Sequence, residues 1–171
     1  MIRYQFRHSK ILFVGINPHY GSYARSVPFS NNKMFWYLLN RAGIIKEDMK
    51  DLKDDKKLKV IYKNKFNKIY KLGLVNVINR PTHDITALKK NEELPGQKRI
   101  LTIIKKERPA VVCFVGKIAY KKFSGWKNFT FGWQKDIYSS KVFVMHFPLH
   151  GKADTRIGEL KKVVRAAHLS G

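Results

Sequence analysis

Four short apolar runs, each followed by a polar loop and then a stretch of helical length, constrain this chain more than any other feature. They occupy residues 10–16, 73–78, 110–115 and 141–146. The runs are near-continuous in Val, Ile, Leu and Phe rather than alternating with polar residues, so both faces of each strand must be covered. Strands of that kind alternating with helices give a mostly parallel sheet with helices on both sides. The expectation is α/β: a single domain over residues 1–171, an α/β/α sandwich around a central, mostly parallel four-stranded sheet. A chain of 171 residues is long enough for one full hydrophobic core.

Between the runs, residues 31–43 read as a helix, with Asn31 or Asn32 as N-cap and Gly43 at its end. Residues 46–59 are dense in Lys and Asp and read as an exposed connection anchored by Leu52 and Leu58. Residues 59–72 interleave lysines with Tyr62, Phe66, Ile69 and Tyr70. That pattern fits an amphipathic helix whose aromatics are core, or a surface that tracks a phosphate backbone. Helices are expected over 94–107 and 117–123, with a last one from Asp154 or Thr155 to about His168. Residues 1–9 read as a short basic arm.

The first run empties into Gly15-Ile16-Asn17-Pro18 and a Gly-, Ser-, Pro- and Asn-rich stretch reaching residue 30. Strand-to-helix loops are usually only a few residues long, and long ones tend to carry function. The carboxyl ends of parallel strands are also where open α/β sheets bind ligands. The loops at 17–30, 76–82, 116 and 147–155 should therefore share one edge. They offer amides, histidines and aromatics: Asn17, Asn76, His146 and Phe29. An amide can orient a water or bond the edge of a base, a histidine can stabilise an anionic leaving group, and an aromatic can stack on a base.

Thirty-five Lys and Arg face 12 Asp and Glu, for a formal net charge of +23. Such an excess points to a polyanionic partner, nucleic acid before an anionic membrane. The single cysteine, Cys113, lies within an apolar run and reads as a small core residue. One cysteine excludes a disulfide framework and a cysteine-ligated zinc or iron–sulfur cluster. Phosphate-binding and dinucleotide fingerprints, a zinc-protease motif, a nucleophile elbow and the clustered carboxylates of a two-metal nuclease are all missing from the sequence. No apolar stretch has the length of a membrane helix, and the basic start has no signal core, so the expectation is an intracellular protein, in cytoplasm, nucleoid or nucleus. Nothing in the pattern asks for an oligomer, so a monomer is expected.

Three stretches, in order, resemble the uracil-DNA glycosylase superfamily and, within it, the mismatch-specific uracil/thymine-DNA glycosylases. Ile11 to Pro18 is similar to that family's G-I-N-P motif after a strand, with Pro28-Phe29 and Asn32 to Trp36 following as its Pro-Phe pair and helix start. Gly73 to Thr82 is similar to its second strand with an R-P-T ending, and Pro109 to Tyr120 to its third strand with a G-K-x-x-Y helix start. The resemblance implies a monofunctional DNA glycosylase acting in base excision repair. It would flip a damaged or mispaired base from double-stranded DNA and hydrolyse the glycosidic bond, leaving an abasic site, with no metal or cofactor. Uracil is the expected base, with thymine and hypoxanthine as further candidates, opposite guanine. By the same carry-over, Asn17 positions the attacking water and His146 stabilises charge on the departing base. Phe29 stacks on that base, the Ile16 backbone lines the pocket and Asn76 reads the base edge.

His19 stands where the mismatch enzymes have a small glycine, so it is expected to narrow the pocket towards uracil, or else to face phosphate. The loop after His146 departs from the family in length. Leu149, or His150, is the expected wedge into the base stack, with Lys152 and Arg156 at the DNA backbone. Two other readings stand beside this one. The first is a non-catalytic protein that binds mismatched or damaged DNA on the same scaffold. The second is an unrelated α/β enzyme acting on RNA or nucleotides.

Overall fold

A computed structural model describes the backbone of residues 1–170 and the side chains of residues 1–168. Five strands form one sheet in the order β2-β1-β3-β5-β4. They are β1 (Ile11–Gly15), β2 (Leu72–Asn76), β3 (Val111–Val115), β4 (Gly132–Ile137) and β5 (Ser140–Met145). The pairs β1–β2, β1–β3 and β3–β5 are parallel, and β4 runs antiparallel on β5 at the edge. The sheet thus has one strand more than expected. The added strand is half exposed, carries Gln134, Lys135 and Asp136, and contains a register shift. An edge strand with one open face need not be apolar throughout, so β4 has no continuous apolar run to betray it.

Side chains alternate across the strands and divide the core in two. Ile11 and Phe13 of β1 face α2 (Met34–Arg41), α4 (Asp55–Ile61) and α7 (Ala153–Ser170). Leu12 and Val14 face α5 (Leu94–Glu107) and α6 (Lys117–Ser124). Helix α2 buries Phe35, Trp36, Leu38 and Leu39 on one side, and each such residue contributes about 1.5–3 kcal/mol on leaving water. Its N-cap is Lys33 without a side-chain bond, while Asn32 Oδ1 accepts the Met34 amide at 3.0 Å.

The Lys/Asp-rich connection forms α3 (Met49–Lys53) and α4, with Leu52 and Leu58 buried as its anchors. A turn of π-helix follows over Tyr62–Phe66. Tyr62 and Phe66 pack into the core around Trp36, which is the core reading of that aromatic stretch. Cys113 is fully buried, and burial pushes its thiol well up. No helix among the described residues is long and apolar enough to cross a membrane.

The stretch expected as one long loop after β1 contains a short helix, α1 (Tyr20–Arg25). Its N-cap is His19, whose Nδ1 accepts the Gly21 amide at 2.9 Å. A histidine cap in a Gly- and Ser-rich context gives little sequence signal. The chain beyond β1 stays paired with the chain beyond β2. Val77 N donates to Gly15 O at 2.9 Å, Ile78 N to Ile16 O at 2.8 Å and Thr82 N to Pro18 O at 3.1 Å.

Candidate active site at the carboxyl ends of the strands

Gly15 and Asn76 are register partners at the ends of β1 and β2. A side chain at position 15 would place its Cβ 2.3 Å from Asn76 Oδ1 and 3.2 Å from Phe29 Cζ. Glycine there lets an amide and an aromatic ring close over bare backbone. Around them opens a cavity of about 610 Å³, lined by Gly15, Ile16, Asn17, His19, Phe29 and Asn76 from one side and by Phe131, Phe147, Leu149 and His150 from the other. A site of this size with apolar walls and a few convergent amides suits a flat polar ring.

Asn17 is held by its nitrogen. Nδ2 donates to Thr82 Oγ1 at 2.8 Å and to Arg80 O at 3.1 Å. A carbonyl can only accept, so Arg80 O settles which end of the amide is nitrogen. Thr82 Oγ1 gives its own hydrogen to Asp84 O at 2.8 Å, which leaves it an acceptor towards Asn17. Asn17 Oδ1 remains uncommitted at the cavity. Thr82 itself sits in a loop stapled by Arg80, whose guanidinium bonds both carboxylate oxygens of Glu92 and the Ala87 carbonyl. That pairing holds the Glu92 carboxyl down at about 2.

Asn76 is almost fully buried, at 4% exposure. Nδ2 donates to the Tyr4 hydroxyl at 2.9 Å, and its main-chain carbonyl accepts Arg99 Nη2 at 2.6 Å. Phe29 lies stacked on Phe35, with centroids 4.5 Å apart, and has a positive φ of 55°. That region is rare for a bulky residue and indicates that the neighbours over-determine the ring's position. The Ile16 carbonyl is spent on Ile78 N, so what Ile16 offers the cavity is its place in the wall. His19 lines the cavity too, with its ring pinned by the cap bond and set edgewise 5.4 Å from His83, which in turn packs on Tyr20.

His146 is placed differently from these. Its Nδ1 is 3.0 Å from Glu159 Oε2, and its main-chain N donates to Glu159 Oε1 at 3.0 Å. One face of the imidazole lies on Phe131, with centroids 3.5 Å apart, and it is Phe131 rather than His146 that lines the cavity. Lys117 Nζ sits 4.6 Å from the Phe131 centroid, a cation over a ring. The structure therefore gathers Asn17, Ile16, His19, Phe29 and Asn76 at one cavity and sets the His146 ring against Phe131, outside the cavity lining.

In the loop before α7, Phe147 O accepts the His150 amide at 2.9 Å. This closes a turn with Pro148 at its second position, the place proline favours. Leu149, next in the turn, is 50% exposed at the rim. His150 is also exposed, but its ring leans on Phe147 at 5.3 Å. Lys152 is exposed, whereas Arg156, expected at the DNA backbone, is 6% exposed and turns inward. It donates to Gly151 O at 3.2 Å and Lys152 O at 3.4 Å, so it braces the loop from within.

Sequence reasoning missed the supporting residues: Tyr4, Thr82, His83, Lys117, Phe131 and Glu159. Two of them carried a signal: Thr82, as the last residue of the R-P-T ending, and Lys117, as the lysine of the G-K-x-x-Y helix start. Among the described residues, no three His, Cys, Asp or Glu side chains are gathered as metal ligands would be. The family model described as Uracil DNA glycosylase superfamily matches residues 2–170.

Proposed function

Since the chain belongs to the uracil DNA glycosylase superfamily, whose members act on DNA and are typically glycosylases, we propose that it excises uracil from mismatched duplexes and leaves an abasic site. The observation that carries this is the amide of Asn17, a residue of the cavity wall, tied through Nδ2 to Thr82 and Arg80, which leaves Oδ1 as the end free to accept. A flipped base enters between Phe29 and the opposite wall, paying a few kcal/mol of unstacking. Asn17 Oδ1 accepts a hydrogen bond from a water and aims its oxygen at the sugar C1′. The C1′–N1 bond breaks first, its electron pair leaves with the base, and the sugar becomes oxocarbenium-like. Water oxygen then bonds to C1′ and loses its proton to solvent. A neutral amide is no base, so Asn17 contributes by position, which is sufficient when the sugar is already cationic.

Asn76 reads the base edge, and Leu149, exposed on its turn, fills the vacated stack. His19 narrows the pocket beside the base's 5-position, which favours uracil over thymine. The +23 charge supplies salt-sensitive affinity for the duplex.

The test is a single-turnover strand-cleavage assay on labelled duplexes holding U:G, U:A, T:G or hypoxanthine:T, with alkali to break abasic sites. Cleavage of U:G is expected, with T:G slower, and Asn17→Ala should lose about 10²-fold or more. Duplexes that are bound but never cut would falsify the catalytic reading in favour of a binding protein. T:G cut as fast as U:G would sink the role given to His19.

A further inference from the structure

The first nine residues form a strap along the outer edge of β2. Leu74 N donates to Gln5 O at 2.8 Å, the Tyr62 hydroxyl to Arg3 O at 2.7 Å and Asn67 Nδ2 to Arg7 O at 3.0 Å. Ile2 is buried beneath it, and the Tyr4 ring packs against both core clusters. This path ends the β2 edge and delivers one side chain towards the cavity from behind. The Tyr4 hydroxyl meets Asn76 Nδ2 at 2.9 Å without lining the cavity itself. Burial pushes its phenol up to about 12, so the group stays an uncharged O–H at neutral pH. On the other side Asn76 Oδ1 lies over Gly15, and its main chain is fixed by Arg99.

We propose that Tyr4 is a positioning residue for base recognition: its hydroxyl, bonded to the Asn76 amide, fixes the plane and reach of that side chain, so that the polar atoms left over meet the base. An acceptor beside a donor complements the N3–H and O4 edge of uracil. The reversed amide would complement the N3 and N4 edge of cytosine, so amide orientation sets the class of base that the pocket accepts. This inference rests on the base-excision reading above.

The test is a double-mutant cycle read as single-turnover excision from a U:G duplex. It uses Tyr4→Phe, Asn76→Ala and their combination, with Tyr62→Phe as control. Tyr4→Phe keeps the ring that packs in both clusters, and a melting temperature within a few degrees of wild type certifies the fold. Tyr4→Phe should slow excision about tenfold, yet change nothing beyond twofold when Asn76 is already Ala. Tyr62→Phe cuts a different anchor of the same strap and should stay within twofold of wild type. A wild-type rate for Tyr4→Phe overturns the inference while excision itself stands. So does an equal loss in both backgrounds, or an equal loss with Tyr62→Phe, since each assigns the strap a merely structural role. Absence of excision by the wild-type chain on every duplex overturns the base-excision reading and this inference with it.

Discussion

The wall of the cavity built from β1 and β2 and the rim built from the loop before α7 are held in opposite ways. On the wall, Asn17 and Asn76 are fixed by partners distant in sequence, Thr82 and Tyr4, and each surrenders its amide nitrogen to them. On the rim, Leu149 stands half exposed on a tight turn, and the stiffness comes from underneath, through Arg156. The wall has its polar atoms aligned before any ligand arrives, as a group that stabilises a transition state must. The rim offers apolar surface to solvent at a local cost, which is useful only if something else removes it from water.

If that division is right, changes on the wall should slow bond breaking wherever the base comes from, and changes on the rim should matter only when a base must be pulled from a duplex. The largest effect among the supporting residues is expected from Thr82→Val. Losing the hydroxyl that orients Asn17 should slow single-turnover excision about tenfold, with duplex affinity unchanged in a titration. Leu149→Ala should slow excision from U:G duplex about fivefold while leaving uracil in single strands untouched, since nothing there needs filling. Equal slowing on both substrates would erase the distinction between wall and rim. Arg156→Met keeps the aliphatic stem and drops the donors to Gly151 and Lys152, so it should reproduce the Leu149 pattern at about threefold.

The smallest effect is a matter of pH. Glu92, paired with Arg80, has a carboxyl lowered to about 2 in the folded protein, against about 4.3 unfolded. A lowered carboxyl adds stability that is complete above the unfolded value and is lost as pH falls from there towards 2. Melting curves from pH 6 to 2.5 should therefore show a slightly steeper acid loss for wild type than for Glu92→Gln. Parallel curves would remove this staple from the account of how Thr82 is placed.

Much of the scaffold was legible because parallel strands buried on both faces must be apolar throughout, as Val111–Val115 is. Strand β4 was not, since a half-exposed edge tolerates Lys135 and Asp136. Helix α1 hid behind a histidine cap. In the cavity, Asn17, Phe29 and Asn76 could be picked out from strand ends and from the resemblance. The contacts that hold them could not, because the bond of Asn17 with Thr82 or of Asn76 with Tyr4 is made by the sheet's register and by the strap, not by any local pattern. His146 was legible as a strand-end residue, but its stacking on Phe131 depends on the path into β4, which the sequence concealed.

The strand order also bears on how the chain comes to be folded. Ile11 pairs with Leu72 on one side and Val111 on the other, so the central strand waits on segments made much later in synthesis. Among these pairings β4 with β5 is the one hairpin, while the parallel pairs are each separated by a long connection. Topologies dominated by remote pairing acquire their order slowly. During translation β1 emerges first and stays without its neighbours, and the strap ahead of it has no edge to lie on until β2 has left the ribosome.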